Sequence, residues 1–254
     1  GSNFHCLISN TAISGDYIKA QGQARRIGAR LMAIVAEGVR GRIYLSPNAE
    51  MESIAIQDQP SWKPEVTISG TTQYLGCKPY GIDKFSDLFT SRQLVGLTTF
   101  SDLVGEARDL IRDDATDAGI NADGVGLEAG GVNTTAYSEA ISVYLAFVVD
   151  RCADFSNSVT RWVPGNQKVM NLFGKQAIAM AWDFAEPNIL ANVVGGFAPA
   201  AEYIADCIEK LSPVVGGVAI QADAQTQHVS SLKIVSSDPP YYDNVPYADI
   251  SDFF

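Results

Sequence analysis

The sequence predicts an α/β protein in two parts, a mainly helical region over residues 1–190 and a partial α/β core over 191–254. Three observations point there. Apolar residues recur at helical spacing in four long segments of the first 190 positions. After Pro187 the pattern changes to helix, strand, short connection and strand, which is the rhythm of an α/β sheet. The second of those strands runs directly into a proline-rich loop, Asp238-Pro239-Pro240-Tyr241.

Taking the elements in order, Ile27, Leu31, Ile34 and Val35 predict a helix over 23–37, with Arg25, Arg26 and Arg30 on its other faces and Gly38 as its stop. Arg42-Ile43-Tyr44-Leu45 reads as a short strand ending before Pro47. Residues 57–82, with Pro60, Pro64, Pro79 and several glycines, read as loop. Thr90 and Gln93 form a capping-box pattern that opens a helix through Leu94, Leu97, Val104, Ala107 and Ile111. The acidic, glycine-rich stretch 114–131 is expected to be a mobile loop. A long helix follows from about Thr134 to Asp154, buried on more than one face by Ile141, Tyr144, Leu145, Phe147 and Val148. Another helix is expected over Val169 to Ala185, with Trp182-Asp183-Phe184 as core and cap.

Beyond Pro187, Gly195-Gly196 leads into an amphipathic helix, Ala200–Leu211, with Tyr203, Ile204, Cys207, Ile208 and Leu211 inward. Val218-Ala219-Ile220 reads as a buried strand ending at Asp223, and Leu232–Val235 as a second ending at Asp238. These two are expected to run parallel and to open both carboxylates onto one cleft at the carboxyl edge of the sheet. The glycine pairs Gly124/Gly126 and Gly195/Gly196 read as turns, since neither follows a convincing strand.

Composition narrows the function classes. The chain has 254 residues, 46% of them hydrophobic, enough for one large domain or two small ones. The longest apolar run, near Ile141–Val149, is far short of the ~20 residues a membrane span needs, so no membrane association is expected. Gly1-Ser2 reads as an expression scar, and no signal peptide is evident. Four scattered cysteines in a chain too large to need staples fit a reduced, cytoplasmic setting. The net charge of −11 argues against a generic nucleic-acid coat. Residues 1–45 nonetheless carry six cations against two carboxylates, a net of +4, which leaves −15 on the remainder. The two histidines, His5 and His228, form no catalytic pair and read as surface residues.

The chemistry concentrates at Asp238-Pro239-Pro240-Tyr241. Two consecutive prolines stiffen the loop, remove two N–H donors and leave bare carbonyls. A carboxylate beside such carbonyls is a cluster of acceptors that suits an exocyclic amine, and the neighbouring aromatic ring can stack on the base that carries it. A chain of this length holds that tetrapeptide by chance on the order of once in a thousand.

DPPY after a strand resembles the signature of amino-methyltransferases acting on adenine N6. The longer run DPPYYDNVPYADISDFF (238–254) resembles large prokaryotic adenine-specific DNA methyltransferases that begin with a domain of unknown function. The resemblance extends through GDYIKAQGQARRIGARLMAIVAEG (15–38), FTSRQLVGLTTFSDLVGEAR (89–108) and QAIAMAWDFAEPN (176–188). It implies a partial Rossmann-like methyltransferase core with a large, mainly helical insertion. It also implies S-adenosyl-L-methionine as cofactor and a flipped adenine of DNA as substrate. Asp238, Pro239, Pro240 and Tyr241 would be the catalytic loop. Asp223 would match the acidic residue that binds the cofactor's adenine amine. Phe89-Thr90-Ser91-Arg92 is similar to an F-T-P-R segment that lines the cofactor's methionine end, with Ser91 in place of the proline. In that family the glycine-rich cofactor loop lies upstream of all four of these blocks, so the resemblance implies an internal fragment, inactive alone. Cys6 looks like the remnant of a zinc-binding CxxC whose second position is Ser9, and no metal is expected. Methylation of RNA, cytosine N4 or a glutamine amide would also suit the loop. A non-catalytic nucleic-acid- or protein-binding module is the rival class.

Overall fold

The computed structural model describes residues 4–57, 59–70, 73–211, 217, 219–239 and 245–254. The order begins with a small hairpin, β1 (Phe4–His5) and β2 (Ala12–Ile13), followed by helix α1 (Gly15–Gln23). A second hairpin, β3 (Ile34–Gly38) and β4 (Gly41–Leu45), leads to α2 (Ala49–Gln57). Then come α3 (Ser91–Asp117), α4 (Thr134–Phe155), a third hairpin of β5 (Trp162–Val163) and β6 (Lys168–Val169), α5 (Phe197–Lys210) and a short α6 (Tyr247–Ser251). All three ladders are two-stranded and antiparallel.

The capping box forms as the sequence predicts. The Thr90 hydroxyl accepts from the Gln93 N–H, and the Thr90 N–H donates to Gln93 Oε1 at 2.9 Å. α3 then carries Leu94 and Leu97 into the interior and packs on α4. α4 buries Val148 and Cys152, and α5 adds Ala200 and Ile204 to complete one core cluster. The second cluster gathers Ile68, Leu75, Cys77, Phe85, Leu88, Ile178 and Phe253 beneath the 66–90 loop region. Phe89 and Ala153 touch both clusters and join them.

Several expectations are corrected. Residues 23–37 are not a helix: the helix ends at Gln23, and Ile34–Gly38 pairs with Gly41–Leu45 in register from Ile34↔Leu45 to Gly38↔Gly41. The β-branched pair Ile34-Val35 and the glycines at the hairpin mouth favour the ladder, while the same apolar spacing also fits a helix. Residues 169–185 hold only a single turn at Leu172–Gly174, because their backbone donors find distant partners. Ile178 donates to the Tyr74 carbonyl at 2.9 Å and Phe173 to Asp154 Oδ1 at 3.0 Å, placing the wholly buried Ile178 beside Leu75. Trp182 is partly exposed and meets Phe4 and Tyr80 edge-on.

Burial also differs from expectation on two helices. Tyr144 and Phe147 of α4 are exposed, and so are Tyr203, Cys207, Ile208 and Leu211 at the end of α5. The 114–131 segment divides: α3 continues to Asp117, and the turns beyond it are tied down by side chains. Asp123 accepts from Val125 N–H and Asn133 Nδ2, and Glu139 accepts from Leu127 N–H.

The region expected to form a partial Rossmann-like core contributes α5 but no ladder among the described residues. Residues 219–223 and 234–239 are exposed and pair with no strand among the described residues. Two turns take up the connection that would carry the chain from one strand to the next. One is centred on Asp223–Gln227, the other on His228–Lys233, where Leu232 adopts φ 61°. A strand forms only against a partner ladder, and these segments meet none among the described residues.

Candidate functional site

Asp238 and Pro239 lie on exposed chain outside any helix or strand, while Pro240 and Tyr241 are outside the described residues. The chain is anchored again shortly after, by α6. Its Asp249 is buried and its Oδ1 accepts from both the backbone N–H (2.5 Å) and the hydroxyl (3.2 Å) of Ser69. Gly70 allows this approach, since a Cβ there would collide with Asp249 Oδ2. Lys78 tightens the same loop by donating to the carbonyls of Ile68 and Gly70 at 2.7 and 2.9 Å. Two residues past α6, Phe253 enters the core against Phe85, Phe89 and Phe173, with centroids 6.5, 5.7 and 5.1 Å away.

Phe89 and Thr90, the proposed cofactor residues, therefore sit beside the anchor of the proposed catalytic loop. Their functional groups are engaged, however. The Phe89 ring is stacked on Phe253, and both the hydroxyl and the N–H of Thr90 are spent on Gln93. Asp223 is an exposed turn cap: its Oδ1 accepts from Gln225 N–H at 2.9 Å and its carbonyl from Thr226 and Gln227. The expected parallel strands that would bring Asp223 and Asp238 to one cleft are not formed among the described residues. Phe89, Thr90 and Asp223 thus make no cradle that fits S-adenosyl-L-methionine among the described residues.

A cleft of about 280 Å³ does open beside the N-terminus of α3, lined by Arg92, Gln93, Gly96, Ser156, Glu186, Pro187, Asn188 and Ile189. That is just under the ~300 Å³ at which small-ligand pockets begin. Arg92 is clamped across it by Glu186, at 3.0 and 2.7 Å, and by the Ala55 carbonyl. With Gln93 Oε1 turned to Thr90, the buried Gln93 Nε2 has no protein partner among the described residues.

Three further groups are electrostatically distinctive. Burial pushes the Cys77 and Cys152 thiols up to about 11. Cys6 is partly exposed just before the turn at 7–9, where a hydrogen bond with the Ser9 side chain holds its thiol below the usual range. Burial would raise the Asp87 carboxyl, but the Arg25 guanidinium at 2.9 Å and the N–H groups of Lys84 and Asp83 outweigh it and hold it low. Among the described residues no group of three or more His, Cys, Asp or Glu stands close enough to hold a metal ion. No helix among them is long and apolar enough to cross a membrane.

Asp249 and Phe253 are the residues that motif reading passed over. Their signal is the proline at 246 followed by Ile250, Phe253 and Phe254 at helical spacing, a small amphipathic anchor behind the loop. No known protein family, curated protein or solved structure matches the chain.

Proposed function

We propose that the chain is part of an S-adenosyl-L-methionine-dependent DNA methyltransferase acting on adenine N6, with Asp238-Pro239-Pro240-Tyr241 as its amine-binding loop and a cytoplasmic setting. The observation that carries the reading is the stacking of Phe253 on Phe89, which fastens the run beginning at Asp238 to the segment beginning at Phe89. These are the two blocks whose resemblance assigns them to one active site, and they lie far apart in sequence. Exposure of Asp238 and Pro239 also suits a loop that receives an extruded base.

In this reading Asp238 and the Pro239 carbonyl accept the two N–H bonds of the amine, and the Tyr241 ring stacks on the base. The chain's contribution is positioning: an amine held by two fixed acceptors presents its nitrogen lone pair in one direction. The cofactor supplies the methyl group, and its cradle requires more than Phe89, Thr90 and Asp223. The partial Rossmann-like core is completed in this proposal by strands that pair with 218–223 and 232–237.

The test is methyl incorporation by a longer polypeptide that includes a glycine-rich cofactor loop. Duplex DNA, RNA, cytosine-only DNA and a glutamine peptide serve as parallel substrates. N6-methyladenine in DNA is expected, lost by orders of magnitude in Asp238→Ala, strongly reduced in Tyr241→Ala and little changed in Tyr241→Phe. Near wild-type turnover by Asp238→Ala removes the loop from the reaction. A different methylated acceptor reassigns the substrate. The unpaired segments 219–223 and 234–239 favour one second reading, a non-catalytic module that docks through added strands. Absence of methyl transfer to every substrate would favour it.

A further inference from the structure

The β3–β4 and β5–β6 hairpins meet at Trp162. Its ring lies 6.4 Å from Tyr44 and 5.5 Å from the Arg42 guanidinium. Four cations stand on or beside these hairpins: Arg40 and Arg42 on the first, Arg161 and Lys168 on the second. None forms an ion pair among the described residues. Most guanidiniums elsewhere are tied to carboxylates, Arg25 to Asp83 and Asp87, Arg30 to Glu52, Arg92 to Glu186 and Arg112 to Asp109. Glu37, opposite Arg42 in the ladder, is the single carboxylate of the two hairpins. Four of the ten cations outside the ion pairs among the described residues thus stand on or beside two short hairpins, in a chain of net charge −11.

The first hairpin also projects. Gly38 pairs with Gly41, so Val39-Arg40 is a two-residue tip, and Val39 is fully exposed. Gly41 takes φ 133°, and a Cβ on Gly38 would press on the Gly41 carbonyl, so both glycines are needed for so tight a turn. A two-stranded ribbon is about 5 Å between strand axes, and the major groove of duplex DNA, about 12 Å wide, admits such a ribbon. Guanidiniums match phosphate geometry, and the acidic charge of the remaining surface disfavours contact elsewhere.

We infer that the two hairpins form a surface that binds the backbone of duplex DNA, with Arg40 at the groove and Arg161 and Lys168 on flanking phosphates. This rests on the proposed function and names where its DNA would be held.

The experiment is fluorescence anisotropy of the full chain with a labelled duplex DNA, titrated between about 50 and 200 mM salt. The triple variant Arg40→Ala/Arg161→Ala/Lys168→Ala leaves Arg42 in place because Arg42 packs on Trp162. It should weaken binding and flatten the log–log salt slope by about 2 to 3, close to 0.9 per lost phosphate contact. The triple variant Lys63→Ala/Lys210→Ala/Lys233→Ala, equal in charge change, should leave the slope as it is, and circular dichroism confirms that both remain folded. The inference is overturned by wild type that shows no salt-dependent binding, by equal slopes in the two triple variants, or by duplex RNA or anionic vesicles that bind tighter than DNA. Equal slopes in the two triple variants, while the longer polypeptide still methylates adenine, would refute this surface alone. Binding present without methylation would refute the Asp238 reading alone.

Discussion

The ring of Phe253 lies stacked on that of Phe89, 5.7 Å between centroids with 27° between their planes. Phe89 joins the two core clusters, so the far end of the chain is fastened where the helical core meets the 66–90 loop region.

Removing the Phe253 ring should be among the most damaging changes at the end of the chain. Phe253→Ala deletes an aromatic side chain that is only 8% exposed and packs on the rings of Phe85, Phe89 and Phe173. A loss of about 3 kcal/mol or more in urea unfolding is expected, with Phe253→Leu losing less. Asp249→Ala strands the Ser69 N–H and should cost about 1–3 kcal/mol. A Phe253→Ala variant as stable as wild type would show that α6 is not anchored as described.

Thr90→Ala separates a cap from a ligand-binding residue. Loss of the hydroxyl removes the acceptor for Gln93 N–H and should cost about 1 kcal/mol of stability. Thr90→Ser and Thr90→Asp should restore most of it, since both cap helices well. If neither substitution recovers stability, capping is not what Thr90 contributes.

Acid titration should find Asp87. Its folded-state pKa lies below the unfolded value of about 3.9. Its stabilisation is therefore fully present above that value and is lost as pH falls through the lower folded one. Asp87→Asn should lower stability by on the order of 1 kcal/mol or less at neutral pH, because Arg25 is half exposed. It should also remove part of the acid-limb slope below about pH 4. Parallel unfolding curves for the two proteins across that range would contradict the Arg25–Asp87 link.

The cysteines should divide into two reactivity classes. Native protein treated with iodoacetamide near pH 8 should be modified first at Cys6, then at exposed Cys207, with Cys77 and Cys152 protected until denaturant is added. The two buried thiols, at about 11, lie above their unfolded value of about 8.5. Their contribution is present below about pH 8.5 and is lost as pH rises through 11, so alkaline unfolding should ease in that window. Peptide mass mapping reads the order, and early modification of Cys77 would contradict its burial.

Short-range physics accounts for the elements that residue order alone specifies. The Thr90–Gln93 box, the helix after it, the helix that begins at Thr134 and the strand containing Arg42–Leu45 depend on neighbours three or four residues away or on a simple alternation. The backbone restriction that Pro239 and Pro240 impose is likewise written in residue types. Tertiary contacts settled the places where a backbone N–H had more than one possible partner. Ile34-Val35 could wind into a helix or pair across a turn, and pairing with Tyr44 and Leu45 prevailed. Residues around Ile178 gave up helical bonds for the Tyr74 carbonyl because that placed Ile178 in the core. The segments around Ile220 and Ile234, apolar enough to read as strands, meet no ladder partner among the described residues, and a strand forms only against one. Only the folded chain showed that Phe253 and Phe89, distant in sequence, share one stacked contact, since periodicity carries no information about which apolar faces meet.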